Sequence, residues 1–332
     1  MRRRFVLVAV IVVAFNVSHA QSDPNLKHLE DELARLAPLS GGVMGIAAVH
    51  LETGRAAYLN KGVTFPMASA YKVAIAAQLL HKVDNKKLKL SKMIDVKPGD
   101  LSPGSGTLTQ HFDDPGLSIS LQNLLELMLL ISDNSSTDMC IEAAGGAKAV
   151  TDRMREIGIE GLRVDRSTLE LIADLVGIEG LPNRDELNPK AFDALVEAIP
   201  DADQKAASEA YGSDPEDTST PEAMAMLLQK IWKGEILSRE SSDYLIDIMS
   251  RCETGEGRLK GMLPPDTVVA HKTGTAGGTT NDVGIVTLPN DAGHVVVVAF
   301  VKESSLPVVE REKAIAEVAR AAHDYFLFNP GT

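Results

Sequence analysis

The chain has 332 residues, with 33 basic and 46 acidic side chains, so it carries a formal net charge of −13 at pH 7. The length allows one large domain or two interlocked domains with a sizeable hydrophobic core. The acidic balance, without any basic stripe, disfavours nucleic acid as a partner. The eight histidines lack metal-ligand spacing and no phosphate-binding glycine loop occurs, so we expect neither a metal nor a nucleotide cofactor.

The first 20 residues have the pattern of a secretory signal peptide. Residues 2–4 are arginines, residues 5–15 are apolar, and residues 18–20 form a small-x-small cleavage site. The apolar run is too short to span a membrane, so we expect export to the periplasm or the medium, with cleavage after Ala20. Removing the three leader arginines leaves 30 basic against 46 acidic residues, a formal charge of −16. The residue directly after the cleavage site is Gln21 and not a cysteine, so a lipid anchor there, and with it a stable membrane anchor, is not expected.

The mature chain begins with a predicted helix over 24–36 and two strands, Val43–Leu51 and Ala56–Leu59. Residues 66–80 follow as an alanine-rich stretch that is apolar on nearly every side, which predicts a buried helix.

Ser69 and Lys72 lie three residues apart in this buried helix and therefore on one face. Burial disfavours the charged ammonium of Lys72, so its neutral amine can take the proton of the Ser69 hydroxyl and make it a nucleophile. The alternative is that Lys72 reaches solvent and Ser69 caps the helix, because this spacing occurs by chance about once in a chain of this length.

Helices dominate the middle of the sequence. They are predicted over Leu121–Ile131, from Ser135 onward, and over 146–157, 221–233 and 238–251. Residues 158–220 are acidic and irregular, with one amphipathic helix over Lys190–Ile199. The apolar face of that helix must be buried, so we expect the 174–216 segment to form an ordered flap. Cys140 and Cys252 both lie in helical contexts, which favours two buried thiols over a disulfide.

Beyond residue 265 the pattern changes to strands. They are predicted over Thr267–Lys272, Asp282–Leu288 and His294–Val301, before a last helix over Val309–Phe326. Strands at both ends with helices between them indicate an α/β fold in which one antiparallel sheet is built from both chain termini and flanked by helices. We therefore expect a sheet domain from residues 21–65 and 265–332. An all-helical domain over 66–264, with an enlarged loop over 166–217, is expected to be inserted in it.

Three short motifs occur along the chain in a fixed order. They are Ser69-x-x-Lys72, Ser132-Asp133-Asn134 and Lys272-Thr273-Gly274. Residue frequencies give this trio by chance about one time in a hundred. The set is the signature of serine β-lactamases and penicillin-binding proteins. The chain resembles the class A β-lactamases over essentially its whole mature length. Further matches are Thr254-Gly255-x-x-Arg258, residues 217–221 and residues 279–282.

The resemblance implies a role for each motif. Ser69 would attack the substrate carbonyl, Lys72 would take its proton, and Ser132 would relay a proton to the leaving nitrogen. The backbone N–H groups of Ser69 and Thr275 would form an oxyanion hole, where each donor contributes about 3–4 kcal/mol. The substrate carboxylate would be held by Lys272, Thr273, Thr275 and Arg258, beside Gly274, and Asn134 would bind the acylamide side chain. The alternatives are that Ser132-Asp133-Asn134 only caps a helix and that Lys272 is a solvated edge-strand lysine.

One departure from the family concerns the loop that carries its deacylating glutamate. The alignment of Leu162–Thr168 puts Thr168 where the glutamate belongs and Ile172 where the family has an asparagine. Arg166 and Asp217 would form the ion pair that closes the enlarged loop. Glu170 is the better substitute for the missing carboxylate and Glu179 the second, although both can equally be solvated loop acids.

We therefore predict a monomeric serine β-lactamase that hydrolyses penicillins or cephalosporins through an acyl-enzyme on Ser69. Two alternatives share the nucleophile. One is a D,D-peptidase or transpeptidase of cell-wall peptides, and the other is a penicillin-acylated sensor or binding protein that does not turn over.

Overall fold

The computed structural model describes residues 24–112 and 116–330, so the predicted leader lies outside the described residues. Its helices are α1 (Pro24–Leu36), α2 (Lys72–Asp84), α3 (Leu108–His111), α4 (Leu121–Leu130), α5 (Asn134–Ala144), α6 (Ala147–Glu156), α7 (Thr168–Leu175), α8 (Pro189–Glu197), α9 (Asp201–Ala210), α10 (Pro221–Trp232), α11 (Arg239–Ser250) and α12 (Val308–Phe328). Its strands are β1 (Val43–His50), β2 (Ala56–Leu59), β3 (Phe65–Pro66), β4 (Met93–Asp95), β5 (Ser118–Ser120), β6 (Thr218–Ser219), β7 (Val269–Ala276), β8 (Thr279–Thr287) and β9 (His294–Lys302). None of the described helices is long and apolar enough to cross a membrane.

One five-stranded antiparallel sheet, in the order β2-β1-β9-β8-β7, is built from both ends of the chain. Strand β9 lies in the middle because its run of valines is buried on both sides, as a strand covered by helices on each face requires. The predicted fold class, a sheet from both termini flanked by helices, is confirmed. The division into two domains stays a prediction.

Alternate residues of β9 enter two separate cores. Val296, Val298 and Phe300 pack in the large core that α2, α4, α5 and α10 share with the sheet. Val295, Val297 and Val301 face the opposite way and pack under α1 and α12. The sheet is therefore the wall between the terminal helices and the helical middle of the chain.

Strand β7 is longer than the sequence indicates. The prediction ended it at Lys272, but pairing with β8 continues from Thr273↔Asp282 to Ala276↔Thr279. The Lys-Thr-Gly motif therefore lies inside the edge strand of the sheet, with Thr275 exposed at its far end.

The segment from 158 to 220 holds three helices, whereas the sequence predicted one. Helix α8 matches the predicted amphipathic helix, and α7 and α9 are additional. Phe192 of α8 is buried against Ala173 and Ile178, with Leu195 and Ile199 beside them. The flap, residues 174–216, is therefore an ordered structure packed on α7, as expected.

Candidate active site

Ser69 lies in a short 3₁₀ turn, Ala68–Tyr71, that leads directly into α2. Ala68 has φ = +44°, a strained conformation for a residue with a side chain, which persists only where the surroundings hold it. The Asn281 side-chain amide provides one such hold, donating to the carbonyls of Pro66 and Met67 at 2.9 Å each. The nucleophile is thus fixed from the sheet as well as from its own helix.

Gly274 lets β7 approach this turn closely. A Cβ at Gly274 would lie 3.0 Å from the backbone nitrogen of Ser69 and closer still to the carbonyl oxygen of Met67. Only glycine permits this approach, which explains in steric terms why the motif has a glycine at position 274. The approach brings β7, and with it Thr275, to the backbone of Ser69.

Lys72 is fully buried, and its ammonium nitrogen has three polar partners. Nζ lies 2.9 Å from the Ser132 carbonyl, 3.0 Å from Ser132 Oγ and 3.0 Å from Asn134 Oδ1. Burial first, and then the charge of Lys272, lowers the pKa of Lys72 well below its usual value. The structure therefore places Lys72 within 3.0 Å of Ser132 Oγ, at a buried position that disfavours the charged form of its amine.

The motif around Asp133 also has a structural role. Asp133 accepts a hydrogen bond from Ser136 N at 2.8 Å and so caps α5, and it accepts two more from Thr107 N and Leu108 N at 2.7 and 3.0 Å. Ser132, with φ = +60°, is held by this cap at the junction between α4 and α5. Capping and presentation of Ser132 are thus two functions of one motif.

Lys272 and Thr273 are both buried on β7. Lys272 Nζ donates to the Thr273 carbonyl at 2.9 Å, and burial lowers the pKa of Lys272 to about 8. Lys272 is therefore not a solvated edge-strand lysine. Its charge lies close enough to influence Lys72.

Arg258 lies behind β7 and reaches the site through Thr275. Its guanidinium donates to the Thr275 hydroxyl at 2.6 Å and to the carbonyls of Asn281 and Gly274 at 2.8 and 3.1 Å. Glu312 pairs with it at 3.0 Å. Arg258 thus fixes the hydroxyl of Thr275 and places a positive charge next to it.

A cavity of about 220 Å³ lies between the Ser69 turn and α7. Its polar lining comes from Ser69, Tyr71, Ser105, Asn134, Thr168 and Thr275. Leu171, Ile172 and Leu175 provide an apolar wall on the α7 side. Among the described residues that line this cavity, none carries a carboxylate.

Glu170 lies on the other face of α7, which corrects the prediction that it is the deacylating base. Residues two apart on a helix point in nearly opposite directions, so Thr168 faces the Ser69 cavity and Glu170 faces away from it. Glu170 lines a second cavity of about 380 Å³ with Arg166 and Asp174. Its carboxylate accepts hydrogen bonds from Ser167 N and Ser167 Oγ at 2.7 Å each, which completes a capping box.

Glu179, the second candidate, is exposed beyond the end of α7. The adjacent Gly180 and Leu181 line the second cavity, on the side of α7 away from Ser69. The structure brings neither candidate glutamate to the nucleophile.

Thr168 occupies the aligned position and contacts residues that the sequence did not single out. Its Oγ1 lies 2.6 Å from the Tyr71 hydroxyl, and both side chains line the Ser69 cavity. Asp138 accepts from Thr168 N at 2.6 Å and from Leu169 N at 3.1 Å, which fixes the start of α7. Two signals in the sequence could have identified these residues. Tyr71 is a tyrosine within an otherwise apolar helix, and Asp138 is an acidic residue within a buried helix.

The loop is closed by the predicted ion pair. Arg166 Nε lies 2.7 Å from Asp217 Oδ2, and the Asp217 side chain is completely buried. Asp217 also accepts from Asp165 N at 2.7 Å, and its own carbonyl accepts from Met67 N at 3.0 Å. The pair therefore joins the loop to the residues just before Ser69.

The cysteines are both buried free thiols, as predicted. Cys140 lies on α5, and Cys252 lies just beyond the end of α11.

Comparisons with known proteins agree on one family. A family model described as the β-lactamase enzyme family matches residues 28–326. The chain is 27% identical to a β-lactamase from Bacteroides uniformis, over 96% of this chain and 97% of that protein. It is also 27% identical to β-lactamase VEB-1 from Pseudomonas aeruginosa, over 97% of each. A solved structure of an ancestral class A β-lactamase matches with a TM-score of 0.72 and 32% identity, over 89% of this chain and 99% of that one.

Proposed function

Because the chain belongs to the class A serine β-lactamase family, we propose that it opens the β-lactam amide of penicillins and cephalosporins through an acyl-enzyme on Ser69. The observation that carries this proposal is the buried amine of Lys72, 3.0 Å from Ser132 Oγ and one turn from Ser69. A neutral amine beside a serine is what activates a hydroxyl for attack on an amide.

Acylation proceeds through proton transfers among three side chains. Ser69 Oγ attacks the β-lactam carbonyl while Lys72 Nζ takes the hydroxyl proton. Ser132 Oγ, within hydrogen-bonding distance of Lys72, passes a proton to the ring nitrogen as the amide bond breaks. The product is an ester between Ser69 and the opened ring.

Strand β7 supplies the groups that complement the two negative charges of the reacting substrate, on the developing oxyanion and on the carboxylate. The backbone N–H groups of Ser69 and Thr275 stabilise the developing oxyanion, and the close approach that Gly274 allows supports this role. Lys272, Thr273 and Thr275 hold the substrate carboxylate, and Arg258 orients the Thr275 hydroxyl at 2.6 Å.

Asn134 faces the acylamide side chain of the substrate. Its amide is fixed at both ends, since Oδ1 accepts from Lys72 at 3.0 Å and Nδ2 donates to the Pro103 carbonyl at 2.8 Å. The two alternatives, a cell-wall peptidase and a non-hydrolysing sensor, share this acylation machinery. The β-lactamase relatives favour neither of them.

Intact-protein mass spectrometry during hydrolysis of a chromogenic cephalosporin tests the proposal. The wild type should show a covalent adduct and sustained product formation, whereas Ser69→Ala should show neither. Ser118→Ala, which changes an exposed serine on β5, is the matched control and should behave as wild type. Labelling of folded Ser69→Ala at the native site, or a wild type without turnover, contradicts the proposal.

We also propose a cellular location and an oligomeric state for the protein. The protein is exported, periplasmic or secreted, with its mature chain starting at Gln21, and it acts as a monomer on a small-molecule substrate. The leader pattern of residues 1–20 supports export. The N-terminal sequence of the protein recovered from a periplasmic extract, and its sedimentation as a monomer, test these two statements.

A further inference from the structure

One face of α7 forms the apolar wall of the Ser69 cavity. Four of its residues line the cavity at the i, i+3, i+4 and i+7 spacing of a single helix face, and they are Thr168, Leu171, Ile172 and Leu175. Leu171 and Leu175 also pack in one cluster with Ala68 and Ala276. The apolar surface therefore continues from α7 to the residue before Ser69 and to the end of β7.

Ile172 lies beside Asn134, the residue that we propose to bind the acylamide of the substrate. Gly104 shows this proximity, because a Cβ there would lie 2.9 Å from Asn134 Nδ2 and 3.7 Å from Ile172 Cδ1. Asn134, Ile172 and Ser69 line the same cavity. A group attached to the acylamide therefore meets the methyl end of Ile172 when Asn134 holds the amide and Ser69 is acylated.

The apolar wall offers no partner for a charged group. Among the described residues that line the cavity, none is an acid, a lysine, an arginine or a histidine. The Thr168 hydroxyl is engaged by the Tyr71 hydroxyl at 2.6 Å and by the Asp138 carboxylate. Burial holds the pKa of the Tyr71 phenol well above its usual value, so this side chain is uncharged. A charge placed against the wall would lose its water and gain no counter-ion.

The apolar wall is supported from outside the cavity by the flap. Ile172 packs on the cluster around Phe192 of the flap. The loop that carries Gly104 is tied to the flap as well, since Arg184 donates to the Gly99 carbonyl at 3.0 Å. The flap therefore holds both sides of the place where the acylamide group would lie.

The cavity is large enough for a ring. Its volume is about 220 Å³, and engineered apolar cavities of about 150 Å³ stay dry and bind benzene. We propose, resting on the proposed function, that the apolar wall selects β-lactams whose acylamide carries an uncharged apolar or aryl group, with Ile172 and Leu175 as the specificity-determining residues. A charged group at the same place is rejected because the wall offers no counter-ion for it.

The test compares three penicillins that differ at one carbon. Benzylpenicillin carries a phenyl ring there, carbenicillin adds a carboxylate to the same carbon, and the matched carboxamide adds an uncharged group of nearly the same size. kcat/KM is measured for each at about 0.5 M salt, which screens long-range repulsion by the acidic protein. Because kcat/KM covers only the steps up to acylation, slow release of the acyl-enzyme does not enter the comparison. The wild-type value should be about 10²-fold lower for carbenicillin than for benzylpenicillin. The carboxamide should lie within about tenfold of benzylpenicillin.

Lysine substitutions locate the selectivity on α7. Ile172→Lys and Leu175→Lys should each raise kcat/KM for carbenicillin relative to benzylpenicillin by about tenfold, because the new ammonium is a partner for the carboxylate. Phe328→Lys adds the same charge at the end of α12, at a side chain that is 73% exposed. It is the matched control and should keep the wild-type ratio.

Similar values of kcat/KM for benzylpenicillin and carbenicillin in the wild type overturn the inference and leave the proposed function intact. A wild-type ratio retained in both folded α7 variants does the same, because the selectivity then lies elsewhere. If neither variant folds, the wild-type comparison of carbenicillin with its carboxamide decides, and equal values overturn the inference. Acylation of Ser69 by none of the three penicillins overturns the proposed function itself.

Discussion

The two walls of the Ser69 cavity differ in chemistry, although the loop closed by the Arg166–Asp217 pair connects them. In the nucleophile wall, Ser69, Asn134 and Thr275 line the cavity, and the buried Lys72, Ser132 and Lys272 belong to the same segments. This wall keeps buried amines and hydroxyls in short hydrogen bonds. The loop wall, formed by Thr168, Leu171, Ile172 and Leu175 of α7, is neutral and largely apolar.

The loop wall nevertheless keeps its architecture. The buried Arg166–Asp217 pair closes the loop, and Asp138 fixes the start of α7 through two backbone N–H groups. Retention of the loop therefore does not require retention of a catalytic carboxylate. The structure separates the forces that hold the loop from the groups that act on substrate, and each can be tested alone.

The largest expected effect is on the nucleophile wall. Lys72→Ala and Ser132→Ala should each slow acylation by about 10²–10⁴-fold, because each removes a positioned proton carrier. Stopped-flow quenching of the first turnover, with adduct formation followed by mass, measures this rate. Unchanged acylation in either folded variant would mean that the residue is structural.

The corresponding change in the loop should affect stability more than acylation. Arg166→Met leaves the completely buried Asp217 without its cation, which should lower the free energy of unfolding by about 3–5 kcal/mol. Urea denaturation measures the loss. Lys148→Met, which breaks an exposed pair with Asp152 at 2.7 Å, should lose about 1 kcal/mol or less. Equal losses in the two variants would show that burial of Asp217 does not matter.

The flap should depend on one aromatic side chain. Phe192→Ala removes the largest buried side chain of the flap cluster and should destabilise that cluster by about 3 kcal/mol. Amide exchange over residues 189–210 should accelerate, while exchange in the sheet stays slow. Phe328→Ala, at a side chain that is 73% exposed, is the control. Unchanged exchange in the flap of Phe192→Ala would contradict this packing.

The smallest effect concerns pH. Lys272, with its pKa lowered to about 8, loses its charge as the pH rises, so its attraction for the substrate carboxylate weakens. kcat/KM of the wild type should fall above pH 8 by up to about tenfold per pH unit. Lys272→Arg stays charged throughout and should lose this decline. A decline with the same midpoint in Lys272→Arg would assign it to another group.

The nucleophile wall could be predicted from the sequence because each of its three segments carries a short motif of the family signature. Ser69 and Lys72 are neighbours on one helical turn, and the valine-rich terminal strands specify the sheet. The pairing of Thr168 with Tyr71 links positions 97 residues apart and has no local pattern. Such contacts depend on how the helices pack, which one sequence does not show.

The error at Glu170 has a local physical reason. Alignment by position ignored that residues 168–175 form a helix, on which Glu170 turns away from Thr168. The Ser167-x-x-Glu170 spacing is a capping box and could have revealed both the helix and the use of the carboxylate. Helix α9 escaped prediction because none of its residues is fully buried, so its sequence has little hydrophobic period to detect.

The most direct test of the contrast between the two walls is the time course of product release after rapid mixing with excess chromogenic cephalosporin. An intact nucleophile wall and a loop wall without a carboxylate predict a burst of one equivalent per active site, followed by slower sustained turnover. The burst should persist unchanged in Glu170→Gln. Linear turnover without a burst, with acylation limiting the rate, would contradict the assignment of the slow step to the loop wall.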